Sequence, residues 1–210
     1  MCARPGQLPD PRVGGLMAID TAGRTEGPWN FRGITIHCMD QLPEGLSTHF
    51  YTVYEEAFAP LRSLAPGRQV LTREEFHDEM VDSRVWKYVA GDSHDNPLGL
   101  TTLTSDLRTV PWISPEYYQL HYPTQWANDA VFYLNFSLVS PHARHQQILF
   151  AMLRAATNRV AACGGVCAYD VCGVNNTGLG PDRVQRMLHR LGHIVVDNLD
   201  VQSYYAARFV

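Results

Sequence analysis

Apolar and polar positions alternate in some segments of this chain and recur at helical spacing in others, which predicts a mixed α/β protein. The clearest strand candidate, Val131–Val139, is apolar, β-branched or aromatic and contains neither glycine nor proline. Pro141 ends it, because proline cannot donate a hydrogen bond to a sheet ladder. Residues 146–162 then place apolar side chains on one helical face, so we expect a strand, a short loop and a helix in succession.

The same patterns continue along the chain and predict one domain at residues 31–210 without internal repeats. Further helices are expected after two capping residues, Ser47 and Thr72, and between Pro181 and Gly192. The other expected strands are 33–40, 85–90, 98–104, 166–172, 194–197 and 201–209.

Three segments lack such periodicity. Residues 1–30 are rich in proline, glycine and small residues and are expected to form a flexible N-terminal arm. Residues 173–180 have the composition of a polar loop. Residues 105–128 are predicted to form a long loop. Its aromatic part, residues 112–126, allows two interpretations. It lines an acceptor or acyl pocket, or it forms a satellite core or a dimer surface.

Composition narrows the class of protein. The chain of 210 residues has a formal net charge of -4, which argues against a nucleic-acid binder because such proteins carry a basic excess. It has no apolar run of about 20 residues that could span a bilayer, no visible secretory signal, and an odd number of cysteines. We therefore expect a reduced cytoplasmic protein without nucleic-acid or membrane partners. No histidine or cysteine spacing matches a known metal site, so no metal is expected.

The segment Val139-Ser140-Pro141, followed by Arg144 and a helix, resembles the signature of the GNAT (GCN5-related N-acetyltransferase) superfamily. In that family a core strand ends in Val-x-Pro, and Arg-Gly-x-Gly-x-Gly or Ala follows. Bulkier residues stand at the glycine positions here, which makes the pyrophosphate-binding loop degenerate: His145, Gln147 and Leu149. The resemblance extends over roughly residues 33–210 in element order. It implies a mixed, mostly antiparallel central sheet with helices on both faces.

The resemblance also implies a co-substrate, acetyl-CoA or another acyl-CoA. In the family the pantetheine arm lies where two strands separate, which corresponds here to 131–139 and 166–172. The backbone around Leu138 and Val139 is then the expected site for the thioester oxygen. Asn175 stands where family members often contact the coenzyme arm, although turn chemistry explains an asparagine equally well. The remaining expected coenzyme contacts are Arg144, His145, Gln146, Gln147 and Ile148.

Acyl transfer to an amine needs a base and an acid, and several residues are candidates for these two roles. Asp170 lies within an apolar strand candidate, where a carboxylate is costly unless it is paired or functional. It also occupies the place of a glutamate found in several family members. Asp129 begins the neighbouring strand or caps a turn. The family's usual tyrosine acid is replaced here by Leu188, and three tyrosines are candidate substitutes: Tyr133, Tyr169 and Tyr205.

These observations favour an acyl-CoA-dependent N-acyltransferase that acts on an amine of a small molecule or peptide. The degenerate loop leaves two alternatives open. In one, an acyl carrier protein delivers the acyl group, which would reduce the need for a diphosphate cradle. In the other, the chain is a binding module of the same fold without catalysis. The final predicted strands could also pair across a homodimer.

Overall fold

The computed structural model of the protein describes residues 25–141, 143, 145–179, 182–192 and 194–209, with the backbone alone at 25, 145, 146, 177–179 and 182–184. Within these residues six strands form one sheet. The strands are β1 (Thr25–Phe31), β2 (Ile34–Met39), β3 (Val85–Gly91), β4 (Pro97–Thr104), β5 (Val131–Val139) and β6 (Val166–Ala168). The helices are α1 (Glu44–Phe58), α2 (Leu61–Leu64), α3 (Arg73–Val81), α4 (Pro115–His121), α5 (Pro123–Ala127), α6 (His145–Ala162), α7 (Gly173–Leu179) and α8 (Asp182–His189).

The strands lie side by side in the order in which they follow one another along the chain. The pairings from β1–β2 to β4–β5 are antiparallel, whereas β5 and β6 run parallel. A parallel pair needs a crossover connection, and α6 supplies it. Helix α6 covers one face of the sheet, while α1 and α3 cover the other. The predicted mixed, mostly antiparallel sheet with helices on both faces is therefore confirmed.

Two buried clusters hold these layers together, because successive side chains of a strand point to opposite faces. The first cluster packs Tyr88, Leu103 and Phe132 of the sheet against α6. The second cluster packs the opposite face against α1 and α3, and its aromatic members are Phe50, Tyr54, Phe76 and Phe136. Each fully buried side chain of this kind contributes roughly 1.5–3 kcal/mol. The two faces are thus specified by the alternation in the strands.

Helix α3 begins with the capping box that the sequence predicts. The Thr72 hydroxyl accepts from the backbone N–H of Glu75 at 3.2 Å, and the Glu75 carboxylate accepts from the backbone N–H of Thr72 at 2.8 Å. Helix α1 differs from expectation, because it begins at Glu44 and buries Ser47 within the helix instead of using it as the cap. The last turn of α3 carries Glu79, whose carboxylate accepts a hydrogen bond from the Asn135 amide of β5.

Residues 105–128 are not the predicted loop. They form a 3₁₀ turn at Leu107–Thr109 followed by α4 and α5, and each of these helices has a proline in its first turn. Buried side chains of this segment form a third cluster with the start of β5 and the end of β6: Leu107, Val110, Tyr118, Val131, Tyr133 and Ala168. The satellite-core interpretation is therefore the one that the structure shows.

Both ends of the described chain depart from expectation. Residues 25–30, assigned to the arm, belong to β1, which pairs with β2, whereas residues 1–24 lie outside the described residues. The predicted strands at 194–197 and 201–209 are wrong, since this segment has no regular structure. Several of its large apolar side chains are exposed, among them Val195, Tyr205 and Phe209. Alternation specifies the two faces of a strand, but a strand also needs a neighbour, which the local pattern cannot supply.

The region after α6 also differs. The strand predicted at 166–172 ends at Ala168, and residues 173–179 of the predicted loop form α7. Cys172 and Val174 pack against the second cluster, so the chain leaves the sheet edge and turns onto the α1 and α3 face. Burial of these side chains therefore competes with continued strand pairing and ends β6 early.

Replacing Gly165 by alanine is expected to destabilise the fold by about 1–3 kcal/mol. A Cβ atom at Gly165 would lie 2.6 Å from the Ala130 carbonyl oxygen and 3.1 Å from that of Val160, both of them backbone atoms. Gly45→Ala in α1 is the matched control, because nothing lies within 4 Å of a Cβ atom there. Urea denaturation should show a lowered midpoint for Gly165→Ala only, and equal midpoints for the two variants would contradict this prediction.

Candidate functional site

The parallel ladder between β5 and β6 is short. It pairs Val131 with Val166, Phe132 with Cys167 and Tyr133 with Ala168, and the two strands then separate. Strand β5 continues to Val139, where β4 still pairs with its other side. Within the described residues, the side of β5 from 134 to 139 that faces away from β4 therefore has no strand neighbour. We call this side the open edge.

Backbone alternation identifies the groups that face the open edge. The N–H of Ser140 donates to the Leu98 carbonyl at 2.8 Å across β4, and the Phe136 carbonyl accepts from the Thr101 hydroxyl at 3.0 Å. Because successive residues of a strand point their N–H groups to opposite sides, those of Ser137 and Val139 face the open edge.

Of the two expected oxyanion donors, Leu138 therefore points into the β4 ladder, where it pairs with Leu100. Its side chain is buried as well, at 3% exposure. Val139 is the one of the two whose N–H faces the open edge, and Ser137, which the sequence reasoning did not name, shares this orientation. Counting back by two along the strand from Val139 would have found it.

A bulge in β5 lies next to these groups. Thr101 pairs with Ser137 and Leu103 with Leu134, so Thr102 alone faces both Asn135 and Phe136. The extra residue sends two successive side chains to the α1 and α3 face. Phe136 enters the second cluster, and the Asn135 amide donates to the Glu79 carboxylate at 3.0 Å.

Tyr133 and Asp170 meet where the two strands separate. Tyr133 is 2% exposed, and its hydroxyl donates to Asp170 Oδ1 at 2.5 Å. The Trp112 indole N–H donates to the same hydroxyl oxygen at 3.3 Å. Burial raises the pKa of Tyr133 and the Asp170 carboxylate raises it further. The phenol therefore stays protonated and holds one oxygen of the carboxylate.

Asp170 is not inside a strand as expected but two residues beyond the end of β6, and it is exposed. A carboxylate fixed on one side by a phenol and open to solvent on the other can bind a cation or accept a proton. The sequence singled out both Tyr133 and Asp170, but their contact joins residues 37 positions apart and depends on the turn after β6.

The other catalytic candidates lie elsewhere. Asp129 is exposed in the turn before β5, with a φ angle of 52° in the left-handed region, which aspartate tolerates. This position agrees with the turn role that the sequence offered as an alternative. Tyr169 is half-buried, and burial raises its pKa. Tyr205 is 93% exposed in the terminal segment.

The expected coenzyme contacts cluster around the start of α6. Arg144 lies outside the described residues, and His145 and Gln146 are described by their backbone in the first turn. Gln147 is exposed, whereas Ile148 and Leu149 pack into the first cluster. The side chain of Ile148 therefore packs against the sheet, and the predicted contact of this position with the coenzyme stays a prediction. The first turn itself presents backbone N–H groups at the end of the loop from β5, as phosphate binding requires.

Asn175 lies half-buried in α7. The alternative that it serves a turn is therefore wrong, because this residue is helical. Its proposed contact with the coenzyme arm stays a prediction.

A cavity of about 230 Å³ lies between α1 and α3, away from the open edge. Its lining includes Ser47, Tyr51, Arg73 and His77, and none of its lining residues comes from β5 or β6. Ser47 Oγ and His77 Nδ1 lie 3.5 Å apart across it. We attribute this cavity to the packing of the two helices and keep the candidate site at the open edge.

Among the described residues, no group of three or more histidine, cysteine, aspartate or glutamate side chains converges as a metal site would require. In the same part of the chain, every helix is too short or too polar to cross a bilayer.

No protein-family model and no curated protein matches the chain. Among solved structures it is similar to an aminoglycoside acetyltransferase from an uncultured soil metagenomic sample, in complex with sisomicin, with 13% identity and a TM-score of 0.47. That match covers 84% of this chain and 97% of the other. It is also similar to aminoglycoside N-acetyltransferase AAC(6')-Iy in complex with CoA, with 14% identity, a TM-score of 0.40, and coverage of 90% and 100%.

Proposed function

We propose that this chain is an acyl-CoA-dependent N-acyltransferase that transfers an acyl group from a CoA thioester to a primary amine of a small molecule or peptide. One observation carries the proposal. The Tyr133–Asp170 pair stands at the point where β5 loses its β6 neighbour, which is the beginning of the open edge that carries the N–H groups of Ser137 and Val139. A fixed carboxylate and backbone donors on one strand are what aminolysis of a thioester needs.

The thioester is proposed to lie along the open edge. Its carbonyl oxygen accepts a hydrogen bond from the N–H of Ser137 or Val139, which stabilises the negative charge of the tetrahedral intermediate. The pantetheine arm contains amide groups, and these can pair with the backbone groups that β6 leaves without a strand neighbour. The diphosphate then reaches the first turn of α6 and Arg144.

Asp170 is the proposed base. An acceptor ammonium first gives one proton to the Asp170 carboxylate, and the nitrogen lone pair then attacks the thioester carbon. The C–N bond forms, the C–S bond breaks, and the thiolate leaves with the sulfur electron pair and takes a proton from solvent. The nitrogen also loses a second proton before it becomes an amide. Tyr133 acts through Asp170 by fixing its orientation.

Titration calorimetry with acetyl-CoA and longer acyl-CoAs tests the donor. We expect one binding site, and about tenfold weaker binding for Arg144→Ala because a charged hydrogen bond to phosphate is lost. Arg154→Ala, which replaces an exposed arginine within α6, is the matched control and should bind like the parent. Absence of heat with every acyl-CoA would overturn the CoA donor, and transfer from an acylated carrier protein under those conditions would identify that donor instead.

A further inference from the structure

The hydroxyl of Tyr133 joins an aromatic ring to the proposed base. The Trp112 indole N–H donates to this oxygen at 3.3 Å, and the hydroxyl donates to Asp170 Oδ1 at 2.5 Å. The indole nitrogen and that carboxylate oxygen therefore lie within about 6 Å of each other. Trp112 is 49% exposed and Asp170 is exposed too, so both groups are open to solvent where the open edge begins.

An exposed carboxylate beside an exposed aromatic ring is suited to bind an aliphatic ammonium ion. Tyr133 holds Oδ1 of Asp170, and Oδ2 can accept a charged hydrogen bond from the ammonium. An ammonium in that place lies close enough to the indole for a cation–π contact, which extends to about 6 Å from the ring. The ring also offers apolar surface to the methylene groups next to the nitrogen.

Aromatic side chains continue from this point toward a second carboxylate. The rings of Tyr118 and Tyr122 stack with their centroids 6.4 Å apart and their planes at 28° or less, namely 22°. Burial raises the pKa of both phenols, and a carboxylate adds to each rise: Asp170 for Tyr118, and Asp197 for Tyr122. Asp197 is exposed in the terminal segment. The two carboxylates therefore lie toward different ends of one aromatic strip, which consists of Trp112, Tyr133, Tyr118 and Tyr122.

Resting on the proposed function, we infer that the acceptor is an aliphatic diamine or polyamine: its reacting ammonium binds Asp170 against the Trp112 ring, and a second ammonium binds Asp197. The alkyl chain between the two ammonium groups lies along the aromatic strip, whose rings cover apolar surface at a small entropic cost. A carboxylate at the far end of an acceptor would meet Asp197 and be repelled, because like charges raise the energy of the complex.

Calorimetry without acyl-CoA measures acceptor binding separately from the reaction. Diamines of increasing length are compared with the monoamine and the ω-amino acid of the same length. We expect the best diamine to bind about two- to fivefold more tightly than its monoamine, which is the contribution of one exposed ion pair. The amino acid should bind more weakly than the monoamine, and the preference for the diamine should shrink as salt is added.

Two pairs of variants locate the site. Trp112→Leu and Trp112→Phe both lose the hydrogen bond to Tyr133, but only phenylalanine keeps a ring, so Trp112→Leu alone should weaken amine binding by roughly two- to fivefold. Asp197→Asn should abolish the preference for the diamine. Asp200→Asn is the matched control, because asparagine can still accept from the backbone N–H of Val201, as Asp200 does at 2.7 Å.

Equal affinity of the parent for diamine and monoamine, or an unchanged preference in Asp197→Asn, would overturn the inference. Equal losses in Trp112→Leu and Trp112→Phe would limit Trp112 to holding Tyr133 and would remove the ring from the site. Thiol release from acetyl-CoA then follows transfer to the same amines. Diamine binding without any binding of acyl-CoA would overturn the proposed function alone, whereas transfer without preference for diamines would overturn only the inference.

Discussion

Replacing Asp170 by asparagine is expected to lower kcat by about 10²–10⁴-fold, the usual contribution of a general base. Asparagine keeps the size of the side chain and can still accept the hydrogen bond from Tyr133, so the turn after β6 should persist. What is lost is the group that we propose takes a proton from the ammonium. The measurement is thiol release from acetyl-CoA in the presence of the acceptor amine, combined with calorimetry of acetyl-CoA binding.

Acetyl-CoA affinity should remain within about twofold of the parent, because the carboxylate is proposed to contact the amine and not the coenzyme. Asp95→Asn is the matched control, since Asp95 is exposed in the β3–β4 turn with a φ angle of 58°, which asparagine tolerates. Tyr133→Phe should lower kcat about tenfold by releasing the carboxylate, a smaller effect than loss of the base itself. Parental kcat in Asp170→Asn would remove Asp170 from the mechanism.

Replacing Lys87 by methionine is expected to lower the free energy of unfolding by about 3–5 kcal/mol. The ammonium satisfies the backbone carbonyls of Asp40 and Asp82, and the second of these lies at the end of α3. Methionine fills most of the volume but leaves both carbonyls without this donor and Glu79 without its nearest positive charge. For a chain of this size the loss corresponds to a melting temperature lower by roughly 6–20 °C.

Adding Glu79→Gln to Lys87→Met should restore about 1 kcal/mol or more, because the double variant no longer buries an unpaired carboxylate. Urea denaturation of the parent, the single variants and the double variant measures this coupling. A Lys87→Met protein as stable as the parent would show that the buried ammonium does not hold α3 to the β2–α1 connection.

Lys87 also makes the free energy of unfolding depend on pH. Burial lowers the pKa of Lys87 to about 8 from its ordinary value of 10.5. Between these two values the folded protein has lost the proton while the unfolded chain still binds it, so this group makes the free energy of unfolding rise with pH. The slope should approach about 1.4 kcal/mol per pH unit in that window. Lys87→Met should lack this component.

The elements that the sequence by itself determined are those whose causes are local. The strands near 85–90, 98–104 and 131–139 follow from runs of apolar and β-branched residues, which suit a half-buried or buried pleated surface. The start of α3 follows from the reciprocal hydrogen bonds of Thr72 and Glu75, three residues apart. The resemblance at Val139 and Pro141 then led to the correct sheet class.

Only the tertiary structure decided where the candidate site lies. Three features define it: β6 ends at Ala168, the bulge brings Asn135 to Glu79, and Tyr133 donates a hydrogen bond to Asp170. Each of these features depends on segments that are distant along the chain. The sequence marked Asp170 as a costly residue for a strand, but it could not show that the strand ends two residues earlier. The local pattern of apolar residues specifies which face of an element is buried. The pairing and register of strands depend instead on which neighbouring element buries the most apolar surface with them, and that competition involves the whole fold.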